Sequence, residues 1–341
     1  MAAYGTGNVI AASVPTGGVA GWGTWNVPNF VGELFKLSPL DTPVLTMIGG
    51  MSGGRSLTRS VETWQDTIHR APAVQANVEG DDATFATQGR SERKNTTMIH
   101  QYGLELSYAK QAATSQLGTV GDSPATTAVS ILGTQPVGDE RAWQLQIKLE
   151  QAALDIEKVF LDGSYANPND GTARQTQGIV GAVSTDTSTN WTGTAGQTAD
   201  RDVINDLSKK LFDNGARKGN CVIMVNSTCK LDIGASYALD TTGGWNVQPR
   251  SMSVFGVNAT TIETEFGAYP VVLNRHLDDD TVLILDLSIM APMFMPTPGK
   301  GHFFLEPLAK AGSYDRDQLY GDIGLLYGPS GWHAKAYNLH A

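Results

Sequence analysis

The steadiest hydrophobic period in the chain runs from Asp139 to Gly163. There Leu145, Leu149, Ala152, Ile156 and Val159 step by three and four residues, and Ile147, Leu154 and Leu161 form a second stripe seven apart. Two stripes predict a helix of roughly 35 Å buried on more than one side, with Asp139 at its N-cap and Gly163 just past its end. A one-sided period follows between Ala199 and Ala216, where Val203, Ile204, Leu207, Leu211 and Phe212 share a face and Gly215 stops the helix. The apolar run NCVIMVN, from Asn220 to Asn226, reads as a buried strand with another short helix behind it. Near the N-terminus, Phe30, Leu34, Phe35 and Leu37 have helical spacing up to Pro39. The stretch before them, Met1 to about Trp25, is rich in Gly, Ala and Thr without a period and reads as an extended arm.

Two segments alternate apolar and polar residues in the manner of strands: RSLTRSVETWQDTIHR from Arg55 and KNTTMIHQYGLELSYAK from Lys94. Between them Ala71–Arg93 is small, polar and turn-rich, so Arg55–Tyr108 reads as a long two-stranded excursion. Such a hairpin has little core of its own and is marginal alone; something else must support it. From Ser253 onward the chain is mostly strand, broken by Gly, Pro and Asp turns, and the whole reads as α+β.

Composition sharpens this picture. Of 341 residues 41% are hydrophobic, only 17% are charged, and 38 are glycine. Charge below the usual ~25% suits a surface covered by neighbours rather than by water. The net charge of −10 argues against a domain that grips nucleic acid, because affinity for phosphate comes from clustered Lys and Arg. An acidic wall that confines DNA without holding it stays open, since like charge repels over only about a Debye length. Cys221 and Cys229 are too few for a disulfide framework. The opening residues lack a basic, then apolar leader, and no run nears the ~18 apolar residues of a membrane span. A cytosol is therefore the expected place of synthesis.

Candidate chemistry is sparse. Gly50-Met51-Ser52-Gly53-Gly54 matches G-x-S-x-G, but a nucleophile elbow needs a strand before the serine and a helix after it. Here a strand-like alternation follows Ser52, and a glycine hinge between an apolar element and the hairpin is the simpler reading. His69, His100, His276, His302, His333 and His340 are scattered without zinc spacing, and Asp278-Asp279-Asp280 reads as a turn. Neither phosphate-loop pattern occurs. Asp155 and Glu157, two apart on the long helix, point to different faces and read as surface charges. Tyr102, Tyr108, Trp143 and Trp191 read as packing residues. No catalytic residue, metal or cofactor is expected, and the rival readings are a serine hydrolase using Ser52 or a β-rich carbohydrate-binding surface module.

The order of elements resembles that of tailed-bacteriophage major capsid proteins of the Hong-Kong-97-type fold. The residues that carry the resemblance are Ser38–Pro43, Thr63-Trp64-Gln65-Asp66, Asn77-Val78-Glu79-Gly80, the helical run from Glu140, GTARQTQGIVGAV from Gly171, and LEPLAKAGSYDRDQLYGDIGLLY from Leu305. One departure is that only Asp322 stands near the place where the family has a Glu in this last strand. The resemblance implies an N-terminal arm over 1–54 and an extended β-hairpin loop over 55–108. It implies a peripheral domain over 109–180 and 291–341 with its spine helix at 139–163, and an axial domain over 181–290. Trp64, Gln65, Asn77, Glu79, Arg90, Arg93 and Lys94 are the residues it places between subunits, and by position it would allow cross-linking through Lys94 or Asn95. Implied as well are hexamers and pentamers of the chain in an icosahedral shell around double-stranded DNA, without sequence-specific binding and without a membrane. Assembly would take place in the host cytoplasm, with scaffolding, portal and decoration proteins as further partners.

Overall fold

The computed structural model describes residues 38–74, 76–80, 82, 86–109, 140–167, 172–194, 196–216, 218–239, 250–254, 257–310 and 312–340. The extended arm, the short helix expected after it and the expected N-cap Asp139 lie outside the described residues.

In chain order the helices are α1 (Pro43–Met47), α2 (Glu140–Asp162), α3 (Ile179–Ser184), α4 (Arg201–Asp213) and α5 (Ser227–Leu239). The strands are β1 (Arg55–Ser56), β2 (Val61–Asp66), β3 (Ser91–Thr96), β4 (Met98–Ser107), β5 (Asn190–Thr192), β6 (Cys221–Val225), β7 (Arg250–Val254), β8 (Val257–Thr264), β9 (Gly267–Leu273), β10 (Val282–Asp286), β11 (Ala291–Phe294), β12 (Phe303–Pro307), β13 (Tyr314–Leu326) and β14 (Ala334–Tyr337).

A seven-stranded mixed sheet, in the order β5-β14-β10-β6-β9-β8-β7, separates two apolar cores. The period of two in its central strands makes this possible. Val222 and Met224 of β6, with Leu283 and Leu285 of β10, face α1, α2 and α3; Cys221, Ile223 and Val225, with Val282 and Ile284, face the other way, toward α4 and α5. Both central strands are therefore buried on two faces and read as unbroken apolar runs. Burial pushes the thiols of Cys221 and Cys229 up to about 12, so at neutral pH neither is a nucleophile.

A five-stranded sheet holds the other end of the subunit: β13 pairs along one edge with β4 and along the other with β12 and β11, and β1 adds to β11. The long α2 joins the two regions. Its C-terminal half buries Ile156, Phe160 and Leu161 in the first core. Its start is tied to β13 by the Arg141 guanidinium, which donates to both Asp317 carboxylate oxygens at 2.8 and 2.9 Å. Leu149, counted inward on the sequence period, is 38% exposed. Just past the helix end only glycine fits at 163, where a Cβ would stand 2.4 Å from the Thr176 carbonyl and 2.6 Å from that of Val159.

Three sequence expectations change. Only β2 and β3 form the hairpin; Met98–Ser107, placed in the extended loop by its alternation, leaves after Thr97 and pairs with β13, burying Leu104 and Leu106. Alternation identifies a strand but not its partner. Ala334–Tyr337, grouped with the peripheral segment, pairs with β10 and β5 in the seven-stranded sheet, because its Ala334 and Ala336 fit the second core. Phe212, expected inside, is exposed at the end of α4, where its ring tilts against Phe266.

Candidate assembly interface

The opening apolar element explains itself through one carboxylate. Pro43 can open α1 because its missing N–H would have no helical partner there, and the next two amides still need acceptors. Glu157 of α2, fully buried, supplies them: Oε1 accepts from Val44 N at 3.0 Å and Oε2 from Leu45 N at 2.8 Å. Oε1 also accepts from Asn274 Nδ2 at 2.7 Å. Asn274 follows β9, and its own amide donates to Val225 O. Burial pushes the Glu157 carboxyl up, and the three donors draw it back without cancelling the shift. The expectation that Glu157 is a surface charge therefore fails, and Asp155 beside it accepts from the hydroxyl of Tyr102 at 2.8 Å. Outside the joint, Asp41 pairs with Arg275, and its carbonyl lies 3.1 Å from His276 Nε2.

From α1 the chain turns through Gly49–Gly54 into β1. A Cβ on Gly54, whose φ is +134°, would lie 2.3 Å from the Pro292 carbonyl, so only glycine lets the chain pass β11 this closely. Ser52 is exposed in this turn, which runs from helix to strand. That order is the reverse of a nucleophile elbow.

The hairpin then rises from a buried polar layer. Asn95 Nδ2 donates to Leu325 O at 2.6 Å and to Gln177 O at 3.1 Å, while its Oδ1 accepts from Gln177 N at 2.8 Å and Thr96 N at 2.9 Å. Thr96 Oγ1 and Thr97 N donate to Ser60 O at 3.0 and 2.8 Å. Thr176 Oγ1 accepts from Leu325 N at 3.2 Å. Beneath them Asp322 is buried and paired with Arg174. Burial raises the Asp322 carboxyl, and the Thr97 hydroxyl and the Arg174 guanidinium oppose that rise.

Above this layer the ladder runs from Val61↔Thr96 to Asp66↔Ser91. The residues expected between subunits divide into three groups. Gln65, Arg90 and Arg93 serve the hairpin itself, since Arg90 donates to Gln65 Oε1 at 3.1 Å and Arg93 pairs with Asp66 at 3.1 Å. Trp64 and Lys94 turn to their own body: Trp64 meets Tyr327 edge-on at 5.1 Å, and the Lys94 ammonium lies 6.0 Å from the centroid of the Tyr165 ring. Asn77 and Glu79 sit exposed on the tip. Apolar tip residues are exposed too, Ile68 at 83% and Val78 at 75%. A cleft of about 600 Å³ separates the stem, at Asp66, Ile68 and His69, from Asp186, Asn214 and Trp332 of the body.

Sequence reasoning missed the buried roles of Asn95 and Glu157 and the pairing of Asp322 with Arg174. Two signals were present: an Asn in a strand, where that residue is disfavoured, and a Glu with apolar residues at i−1, i+3 and i+4 on a helix.

Solved structures share this fold. The cyanophage A-1(L) capsid protein superposes with a TM-score of 0.67 at 10% identity, over 94% of this chain and 99% of that one. The capsid protein of Myoviridae phage XM1 gives 0.57 at 12%, over 90% and 95%. The SrpI encapsulin of Synechococcus elongatus gives 0.55 at 12%, over 92% of each chain. At these identities the likeness is one of fold, and the fold is the Hong-Kong-97 type. A search of curated proteins returns no match. The family model described as SU10 major capsid protein matches residues 15–340. The chain therefore belongs to the SU10 major capsid protein family, and it is a structural protein of a capsid shell.

Proposed function

We propose that copies of this chain, arranged as hexamers and pentamers, close into the icosahedral shell of a tailed bacteriophage around double-stranded DNA. The observation that carries this reading is the hairpin: its root is fixed in a buried polar layer, while the described residues of its tip are exposed, Ile68 and Val78 among them. Such a segment gains its burial from another copy, and many modest contacts made together hold a lattice that one would not. The net charge of −10 supports a wall that confines DNA without sequence-specific contacts. Assembly in the bacterial cytoplasm, with scaffolding, portal and decoration proteins as partners, belongs to the same reading. No helix among the described residues is long and apolar enough to cross a membrane.

The reading gives Ser52 no catalytic role, and the helix-to-strand order around it supports this. It also divides the subunit by its sheets. The five-stranded sheet with α2 forms the peripheral part, the seven-stranded sheet with α4 and α5 the axial part, and Val61–Thr96 the extended loop.

Replacing Ile68–Gln88 by a short Gly/Ser turn tests the proposal while sparing the Arg93–Asp66 pair of the stem. Near-native circular dichroism and a cooperative melt, without closed particles by light scattering or microscopy, are expected. Particles indistinguishable from wild type would refute the role of the tip, and an unfolded variant would place it in the subunit core.

A further inference from the structure

We propose that Asn95 is the positioning residue that sets the direction in which the hairpin leaves the body. The inference rests on the assembly reading above for its consequence, but its geometry is independent of it. Asn95 is 0% exposed within a strand. Asn is depleted in strands, and burying its amide is costly unless every polar atom finds a partner. Here each does. Both Nδ2 hydrogens and both Oδ1 lone pairs are used, on Leu325 O, Gln177 O, Gln177 N and Thr96 N.

Those partners lie on three segments that are far apart in sequence: β3 itself, the approach to α3, and β13. A planar carboxamide with donors at one end and acceptors at the other satisfies them together at only one orientation of β3. Apolar packing at the same place would hold the stem but tolerate sliding, since dispersion contacts are not directional. Selection of one geometry is the best-supported use of a satisfied polar network. Trp64 against Tyr327 adds area beside it, whereas the cleft below Asp66 and Ile68 leaves the stem unsupported further out. The angle at the root is thus set close to Asn95. The same burial also removes the Asn95 amide from any cross-link in this conformation.

Asn95→Asp keeps the shape and the accepting oxygen but replaces the donor NH₂ with a carboxylate oxygen facing two carbonyls. Asn95→Ser is a milder loss. The experiment is hydrogen exchange on the unassembled subunit, followed by microscopy of assembled material. Amides of β2 and β3 should exchange about tenfold faster while those of β6 and β10 keep their wild-type rates, and the particles should be open or uneven in diameter. Unchanged hairpin exchange would overturn the proposal, as would a rise shared equally by the whole subunit. So would failure of both variants to fold, because Asn95 would then be an ordinary stability residue. A loosened hairpin that still yields uniform wild-type particles would leave the positioning role intact and refute instead the part the hairpin is given in assembly.

Discussion

A single buried carboxylate fastens three parts of this subunit: Glu157 of the long helix receives the first amides of α1 and the side chain of Asn274 beside the seven-stranded sheet. Glu157→Gln would set an NH₂ group against a backbone N–H, at an expected cost of about 1–3 kcal/mol. Its pH dependence has a definite sign. Because burial raises the native pKa, the native state binds the proton at a higher pH than the unfolded chain. That contribution to stability is full below the unfolded value of ~4.3 and is lost as pH rises through the native one. The melting-temperature gap between wild type and Glu157→Gln should accordingly widen as pH falls from 7 toward 4. A constant gap would contradict the assignment. His333 works in the opposite sense. It is fully buried, with its Nδ1 accepting from Asp286 N at 3.2 Å and its Nε2 bonding Tyr327 O at 2.8 Å; burial favours the neutral ring and lowers the pKa, against the opposing pull of the Tyr327 carbonyl and the Asp286 carboxylate. Stability from the neutral ring is lost as pH falls below ~6.5, and the advantage of wild type over His333→Gln should shrink between pH 7 and pH 5 in thermal melts.

Among the elements, α2 shows how far a periodic pattern reaches. Its extent was legible from its stripes, but the depth of each position was not. Phe160 is fully buried, and Phe160→Ala should cost about 3–5 kcal/mol. Leu149, on the stripe read from the sequence, is 38% exposed, and Leu149→Ala should cost under ~1 kcal/mol in the unassembled subunit. Equal losses in denaturant titrations would show the burial to be misassigned. The same division holds elsewhere. The strand Cys221–Val225 and the helix Arg201–Asp213 were visible because both depend on local pattern. The pairing of Met98–Ser107 with β13, and of Ala334–Tyr337 with β10, depends on contacts more than a hundred and about fifty residues away, which alternation does not encode. For the interface, the position of the hairpin was readable. The polar layer beneath it was not, because Asn95, Arg174 and Asp322 come together only through the fold.

At the scale of the molecule, one sheet serves two cores, α2 ties that sheet to the five-stranded one, and the hairpin projects from their junction on a polar root. On the proposed reading, folding and assembly draw on separate parts of the chain: the cores hold the subunit, and the exposed apolar residues of the tip, Ile68 and Val78, are buried by another copy. Electron cryomicroscopy of particles formed by the full-length chain tests this separation most directly. The account predicts closed shells in which residues 67–90 of each copy lie along the neighbouring subunit, with Ile68 and Val78 covered there and Asn95 bonded to Gln177 and Leu325 as in the single subunit. Shells in which that segment folds back onto its own body, filling the cleft beside Asp186 and Trp332 and touching no neighbour, would contradict it.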